Sequence, residues 1–302
     1  MWAAATTPPL AWTLQHRRSD AVRNWSPPGL PGQKFGPLHA RTGGTGDRGI
    51  LLLHGLVSTG DVFGAEYEVL AASHRLVVPD LLGFGRSLDT TRAAFSPDDH
   101  LDALDELAER TGLLDRPLTI GAHSMGSALA LRWAARHPGS VERIVCWGAP
   151  IHQSPEAARS ELSGNMMVRL FALDTAAARA ACAASCRHRT AAGWLAAALE
   201  PKLPVPLTRA ASLHTWPAYH DAMVGLVIET DWDRLIDELV EAGIGIRLVW
   251  GSDDAVGDRD HADAITRPRA GAEMTIVPGA DHHLPLSHPF VCLDDLTGSD
   301  RT

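Results

Sequence analysis

A chain of 302 residues, 45% hydrophobic and 21% charged, is long and apolar enough to bury one large core, and its composition is that of an ordinary globular protein. The formal net charge of -9 at pH 7 offers no basic stripe to neutralise phosphates, which argues against nucleic acid and anionic membrane surfaces and favours a neutral or apolar small molecule. Four cysteines, Cys146, Cys182, Cys186 and Cys292, lack CxxC spacing and are too sparse for a disulfide framework, so a reducing compartment is expected.

The first residues, Met1 to Pro9, carry no basic side chain and their apolar content is broken by Thr and Pro, which does not read as a secretory signal. No run is long enough to span a bilayer. A cytoplasmic protein is the expectation, and the oligomeric state is not encoded.

Residues 1–36 read as an extension of uncertain structure, rich in Pro, Gly and Arg, with a possible strand at Leu10 to Gln15. From Pro37 the pattern sharpens. Pro37 to Arg41 predicts a strand, Gly43 to Gly46 a turn, and Gly49 to Leu53 a buried strand running into His54 and Gly55. Arg75 to Val78 is a further strand, stopped by Pro79 and Asp80 and followed by the glycine-rich run Leu82 to Ser87. Ser96, Pro97, Asp98 and Asp99 begin a helix, with a hydroxyl cap, proline at the first turn and acids at the positive end of the dipole. Its apolar face is Leu101, Leu104, Leu107 and Ala108, and Gly112 ends it.

Leu118 to Ala122 is the next strand. It delivers Ser124 onto a sharp turn flanked by the small residues Ala122 and Gly126, and a helix follows to about Arg136. Val141 to Trp147 is another strand. Between residues 152 and 231 the alternation stops, and an Ala-rich segment predicts a helical insertion over the rim, broken between Pro201 and Pro206. Cys182 and Cys186, four apart with His188 nearby, read there as small residues on one helix face rather than as a ligand or redox pair. The alternation resumes with a helix near Trp232 to Ala242, strands at Ile246 to Trp250 and Met274 to Val277 around a helix near Asp260 to Ile265, and a short helix beyond Pro289. Alternating buried strands and amphipathic helices define an α/β fold: a mostly parallel, doubly wound sheet with helices on both faces and functional groups at the carboxyl ends of its strands. The expected division is a core of residues 37–151 and 232–302 with an insertion at 152–231.

A serine hydroxyl is a weak nucleophile at neutral pH and needs a base, and the base needs a third group to fix its tautomer. Two later strands end in Gly251-Ser-Asp-Asp254 and Pro278-Gly-Ala-Asp-His-His283, supplying an acid and then a histidine in the order that an elbow serine requires. Asp254 is preferred over Asp253, and His282 over His283. The other acid position, after the strand that follows the elbow helix, reads Trp147-Gly-Ala-Pro150 and offers no carboxylate. A zinc site from His282, His283 and His288 lacks regular ligand spacing; no metal and no cofactor are expected.

On His54-Gly55, Pro79 to Ser87, Ala122-His-Ser-Met-Gly126, Gly251 to Asp254 and Gly279 to His282, the chain resembles the α/β-hydrolase superfamily, its serine-nucleophile branch with a helical cap. Two positions depart from the common pattern: Ala122 stands where glycine is commonest, and Asp281 stands where a small residue usually precedes the histidine, so a shifted loop with His283 as the working residue stays open. The resemblance implies that the backbone N–H groups of Leu56 and Met125 form an oxyanion hole, with His54 a brace and Asp80 and Ser87 scaffold residues. It implies a carboxylic ester hydrolase acting on a small to medium apolar substrate. Carbon–carbon hydrolysis of a vinylogous diketone, lyase or cyclase chemistry, and ligand reception are alternatives on the same fold. The expected pocket residues are Trp147, Met166, Phe171 and Trp216.

Overall fold

The computed structural model describes residues 19–164 and 175–298. Among them, eight strands form one sheet: β1 (Gly32–Phe35), β2 (Leu38–Gly43), β3 (Gly49–Leu53), β4 (Arg75–Pro79), β5 (Leu118–His123), β6 (Val141–Trp147), β7 (Gly245–Gly251) and β8 (Ala272–Val277). Their order is β1-β2-β4-β3-β5-β6-β7-β8. Pairings β1 with β2 and β2 with β4 are antiparallel, and the remainder are parallel.

Every residue of β3 and β5 is buried, as expected for central parallel strands covered on both faces. Successive residues of β3 serve opposite sides. Leu51 and Leu53 join the apolar cluster that contains the elbow helix, whereas Ile50 and Leu52 join the one built around Phe63, Tyr67 and Trp147. The core is therefore two slabs with the sheet between them.

Helices α1 (Asp20–Asn24), α2 (Pro97–Thr111) and α3 (Met125–Arg136) lie before β6. In α2 Ser96 caps the helix ahead of Pro97 as expected and forms a reciprocal capping box with Asp99, and Gly112 closes the helix with φ 62°. The long excursion between β6 and β7 comprises α4 (Pro155–Gly164), α5 (Ala176–Arg187), α6 (Arg189–Leu199), α7 (Val205–Ala210), α8 (Trp216–Ala222), a π-helical turn at Met223–Ile228 and α9 (Trp232–Glu241). The chain then adds α10 (Arg259–Thr266), α11 (Leu284–Ser287) and α12 (Pro289–Thr297).

One strand escaped the sequence reading. β1 has a single buried residue, Phe35, after three exposed ones, so it carries no alternation to detect; it exists because β2 offers it a ladder across the Gly36 turn, where φ is 56°. The possible strand at Leu10 to Gln15 lies outside the described residues. No helix among the described residues is long and apolar enough to cross a membrane.

Candidate active site

β5 ends at His123 and α3 begins at Met125, so a single residue, Ser124, makes the whole turn. Its backbone has φ 52° and ψ -125°, a combination that non-glycine residues rarely occupy and that is retained only where the surroundings enforce it. Two hydrogen bonds supply part of that enforcement: Ser124 N–H donates to the carbonyl of Trp147 at 2.9 Å, and Ser127 N–H donates to the carbonyl of Ser124 at 2.8 Å. The flanking residues must be small because the elbow runs against β3. A Cβ on Gly126 would sit 2.6 Å from the Leu53 carbonyl oxygen and 2.7 Å from that of His54.

The loops after β7 and β8 are stitched together. Ser252 N–H donates to the Val277 carbonyl and Asp253 N–H to the Ala280 carbonyl, each at 2.9 Å. Gly251 is the point of closest approach, since a Cβ there would lie 2.0 Å from the Ala280 carbonyl oxygen. This stitching sets Asp254, only 4% exposed, against the His282 ring: Nδ1 lies 3.0 Å from Oδ2 and 3.1 Å from Oδ1. Nε2 of the same ring lies 3.1 Å from Ser124 Oγ. A proton on Nδ1, donated to the carboxylate, leaves the Nε2 lone pair facing the serine hydroxyl.

The neighbouring acid and histidine are engaged elsewhere. Asp253 accepts from the Ser252 hydroxyl at 2.9 Å. Asp281 accepts from the backbone N–H of His283 at 2.9 Å, and its contacts with that residue hold its carboxyl down at about 2. Asp281 thus closes its own turn.

His123 is a member of the site that sequence reasoning passed over. Its Nε2–H donates to the carbonyl of His282 at 2.7 Å, with the two rings 4.9 Å apart. Burial, and then the proximity of His282, push its pKa well below the ordinary histidine value, so it stays neutral. Its position beside Ser124 was the available signal.

The loop after β3 lies across from the elbow. His54 accepts from Leu81 N–H at Nε2 (2.8 Å) and donates from Nδ1 to the Gly55 carbonyl (2.7 Å), and burial lowers its pKa. It braces this loop to the one that follows β4. There Asp80 accepts from Gly60 N–H and Arg86 N–H, and Ser87 donates to the Asp80 carbonyl while accepting from His39 N–H. Leu56 follows Gly55, and Val57 is held at φ 54°, an unusual conformation for a β-branched residue. Met125 is the first residue of α3, where a backbone N–H has no intrahelical acceptor.

Ser124, His123 and His282 open into a cavity of about 250 Å³ whose walls include Leu56, Val57 and Val62 from the core and Ala196, Leu203 and Leu207 from the long excursion. Glu200 and His283 also reach it. A larger depression of about 620 Å³ lies between the β1 hairpin and α2, lined by Arg86, Asp89, Arg92 and Asp99 among others. It contains none of Ser124, Asp254 and His282, so volume alone would misplace the chemistry.

The expected pocket aromatics require correction. Trp147 is fully buried on the opposite slab, against Phe63, with Nε1 donating to Asp295 Oδ2 at 3.4 Å. It serves the site through its backbone carbonyl, because at the end of β6 the alternation sends Cys146 to the elbow side and Trp147 away from it. Trp216 packs on Tyr219 and His220 and does not line the cavity. Met166 and Phe171 lie outside the described residues.

Residues 50–189, just under half of the chain, match the family model described as alpha/beta hydrolase fold, and the chain has that fold. The matched span holds the loop after β3 and the elbow; Asp254 and His282 lie beyond it. The chain is similar to the probable lysophospholipase BODYGUARD 4 of Arabidopsis thaliana, at 25% identity over 260 residues, 79% of this chain and 60% of the relative. It is also similar to Lipase 1 of Psychrobacter immobilis, at 32% identity over 130 residues, 41% of this chain and 40% of the relative. The chain therefore spans 60% and 40% of the lengths of these two curated relatives.

Among solved structures, an E-2-(acetamidomethylene)succinate hydrolase superposes with a TM-score of 0.68 at 17% identity, covering 90% of this chain and all of that one. A thermophilic esterase from Thermogutta terrifontis superposes with a TM-score of 0.65 at 21% identity, covering 86% of this chain and 92% of that one. At such identities the likeness is one of fold.

Proposed function

We propose that this protein is a serine hydrolase that cleaves a carboxylic ester of small to medium size through an acyl-enzyme. The observation that carries the reading is the continuous contact Ser124 Oγ to His282 Nε2 to Asp254, set at the floor of a largely apolar cavity. Ser124 attacks the ester carbonyl as His282 takes its proton, and Asp254 orients the imidazole and stabilises its cation. Charge developing on the carbonyl oxygen is received by the N–H groups of Leu56 and Met125, groups already fixed in the fold and so needing no reorganisation during reaction. His282 then returns the proton to the leaving alkoxide. Water, activated by the same imidazole, releases the acid and restores the serine.

Residues 152–231 act in this reading as a cap. Leu203 and Leu207, with Val62, Val57 and Leu286, offer an acyl chain an apolar wall. The curated relative named a lipase supports the class of bond. A cavity of about 250 Å³ favours short chains.

The test is a series of p-nitrophenyl esters from acetate to laurate. Steady turnover that peaks at short chain length and is abolished in Ser124→Ala is the expected result. Turnover that survives that substitution would overturn the reading.

A further inference from the structure

The cap helix α6 has no aqueous face. From Thr190 to Leu199 it carries no charged residue. Gly193 and Ala197 are buried and Ala196 lines the cavity, whereas Trp194, Leu195 and Leu199 on the other side are 54%, 60% and 64% exposed. Single exposed apolar residues are ordinary on a protein surface, but three large ones within six positions of one helix make a patch. A helix apolar on both sides is stable where something apolar covers each of them.

The charge around this patch says what covers it. Residues 175–215 contain Arg179, Arg187, Arg189, Lys202 and Arg209 against Glu200 alone, a net of +4 in a chain whose total is -9. The Arg209 guanidinium lies 4.5 Å from the Trp194 ring centre, so one of these cations sits on the patch itself. A second copy docking through a twofold axis would set +4 against +4. An anionic bilayer surface instead takes Trp and Leu into its interfacial layer and pairs the arginines with its head groups. The whole-chain charge that argues against such a surface conceals this local reversal.

We propose that the outer face of α6, centred on Trp194, Leu195 and Leu199 with the Arg209 guanidinium over Trp194, in a stretch of positive local charge, docks the protein onto an anionic lipid bilayer. Ala196 and Glu200, at the other side and the end of the same helix, line the cavity, so docking brings the site within about one helix diameter, roughly 10 Å, of the interface. That the bilayer then supplies the ester rests on the proposed hydrolase activity; docking itself does not.

The full-length protein is sedimented with large unilamellar vesicles, either pure phosphatidylcholine or three parts phosphatidylcholine to one part phosphatidylglycerol. Co-sedimentation with the anionic vesicles is expected, weakened by high salt and weakened at least about tenfold in the double variant Leu195→Glu/Leu199→Glu. That variant should keep its circular dichroism and its turnover of p-nitrophenyl acetate, and Ser124→Ala should bind vesicles as the parent does. Absence of binding to anionic vesicles, or equal binding by the double variant, would overturn the proposal. So would a dimer in light scattering that the double variant disperses, which would assign the face to a second copy. Failure of the hydrolase reading appears separately, as ester turnover that persists in Ser124→Ala.

Discussion

Gly148 lies directly against the His282 imidazole. A Cβ built on it would be 3.0 Å from Nδ1, and 2.9 Å from the Asp254 carboxylate oxygen that faces the same nitrogen. Its φ of 58° is costly for any other residue. Gly148→Ala is therefore expected to push the imidazole off the line to Ser124 and to lower kcat by about a hundredfold, the scale of a misplacement near 1 Å. Ester kinetics beside a urea melt check this. A loss of kcat far larger than the loss of stability supports the contact, whereas unchanged kcat contradicts it.

Trp147 offers the complementary case. Its side chain is fully buried away from the cavity and fits only because residue 121 is glycine: a Cβ on Gly121 would lie 2.6 Å from Trp147 Cη2. Trp147→Ala should cost about 3–5 kcal/mol of stability while leaving KM for a short ester unchanged. A raised KM with intact stability would return this residue to the pocket.

His100 governs part of the acid response. Burial pushes its pKa from 6.5 down to about 4, and neither ring nitrogen has a partner among the described residues. Between these values the unfolded chain holds a proton that the folded chain refuses. Stability therefore falls as pH drops from about 6.5 to about 4, by up to roughly 3 kcal/mol, and the contribution is level outside that window. His100→Leu should flatten this acid limb, as urea melts at pH 7 and pH 4.5 would show. An equal loss in both proteins would contradict the assignment.

The cavity wall sets chain length in the proposed reaction. Leu207 lines it from the excursion between β6 and β7, so Leu207→Trp should reduce turnover of the octanoate ester about tenfold or more relative to acetate. Parallel losses on both esters would mean that Leu207 does not meet the acyl chain.

What was legible in the sequence was local or ordered along the chain. The Ser96 and Pro97 helix start, the buried run of β3 and the small-flanked turn at Ser124 each declare themselves within a few residues. Asp254 and His282 could be sought because each occupies the loop after a recognisable strand. The pocket could not be read in the same way. Trp147 sits at a strand end on the functional rim, but period-two alternation aims its side chain at the other slab, and a one-residue difference decides the face. The residues of the excursion that do line the cavity, Leu203 and Leu207, stand four apart around Pro204, a spacing that marks one side of a turn. β1 was invisible because its stability comes from pairing with β2 rather than from its own composition.

Covalent trapping reports on the Ser124 nucleophile itself. A fluorophosphonate requires an activated serine hydroxyl, a base within reach and an oxyanion site to accept the phosphoryl oxygen. Intact-mass and peptide mass spectrometry should find one adduct per chain, on the peptide carrying Ser124, forming rapidly in the parent and at least about a hundredfold more slowly in His282→Ala. An adduct on another residue, or labelling unaffected by the loss of His282, would contradict the account.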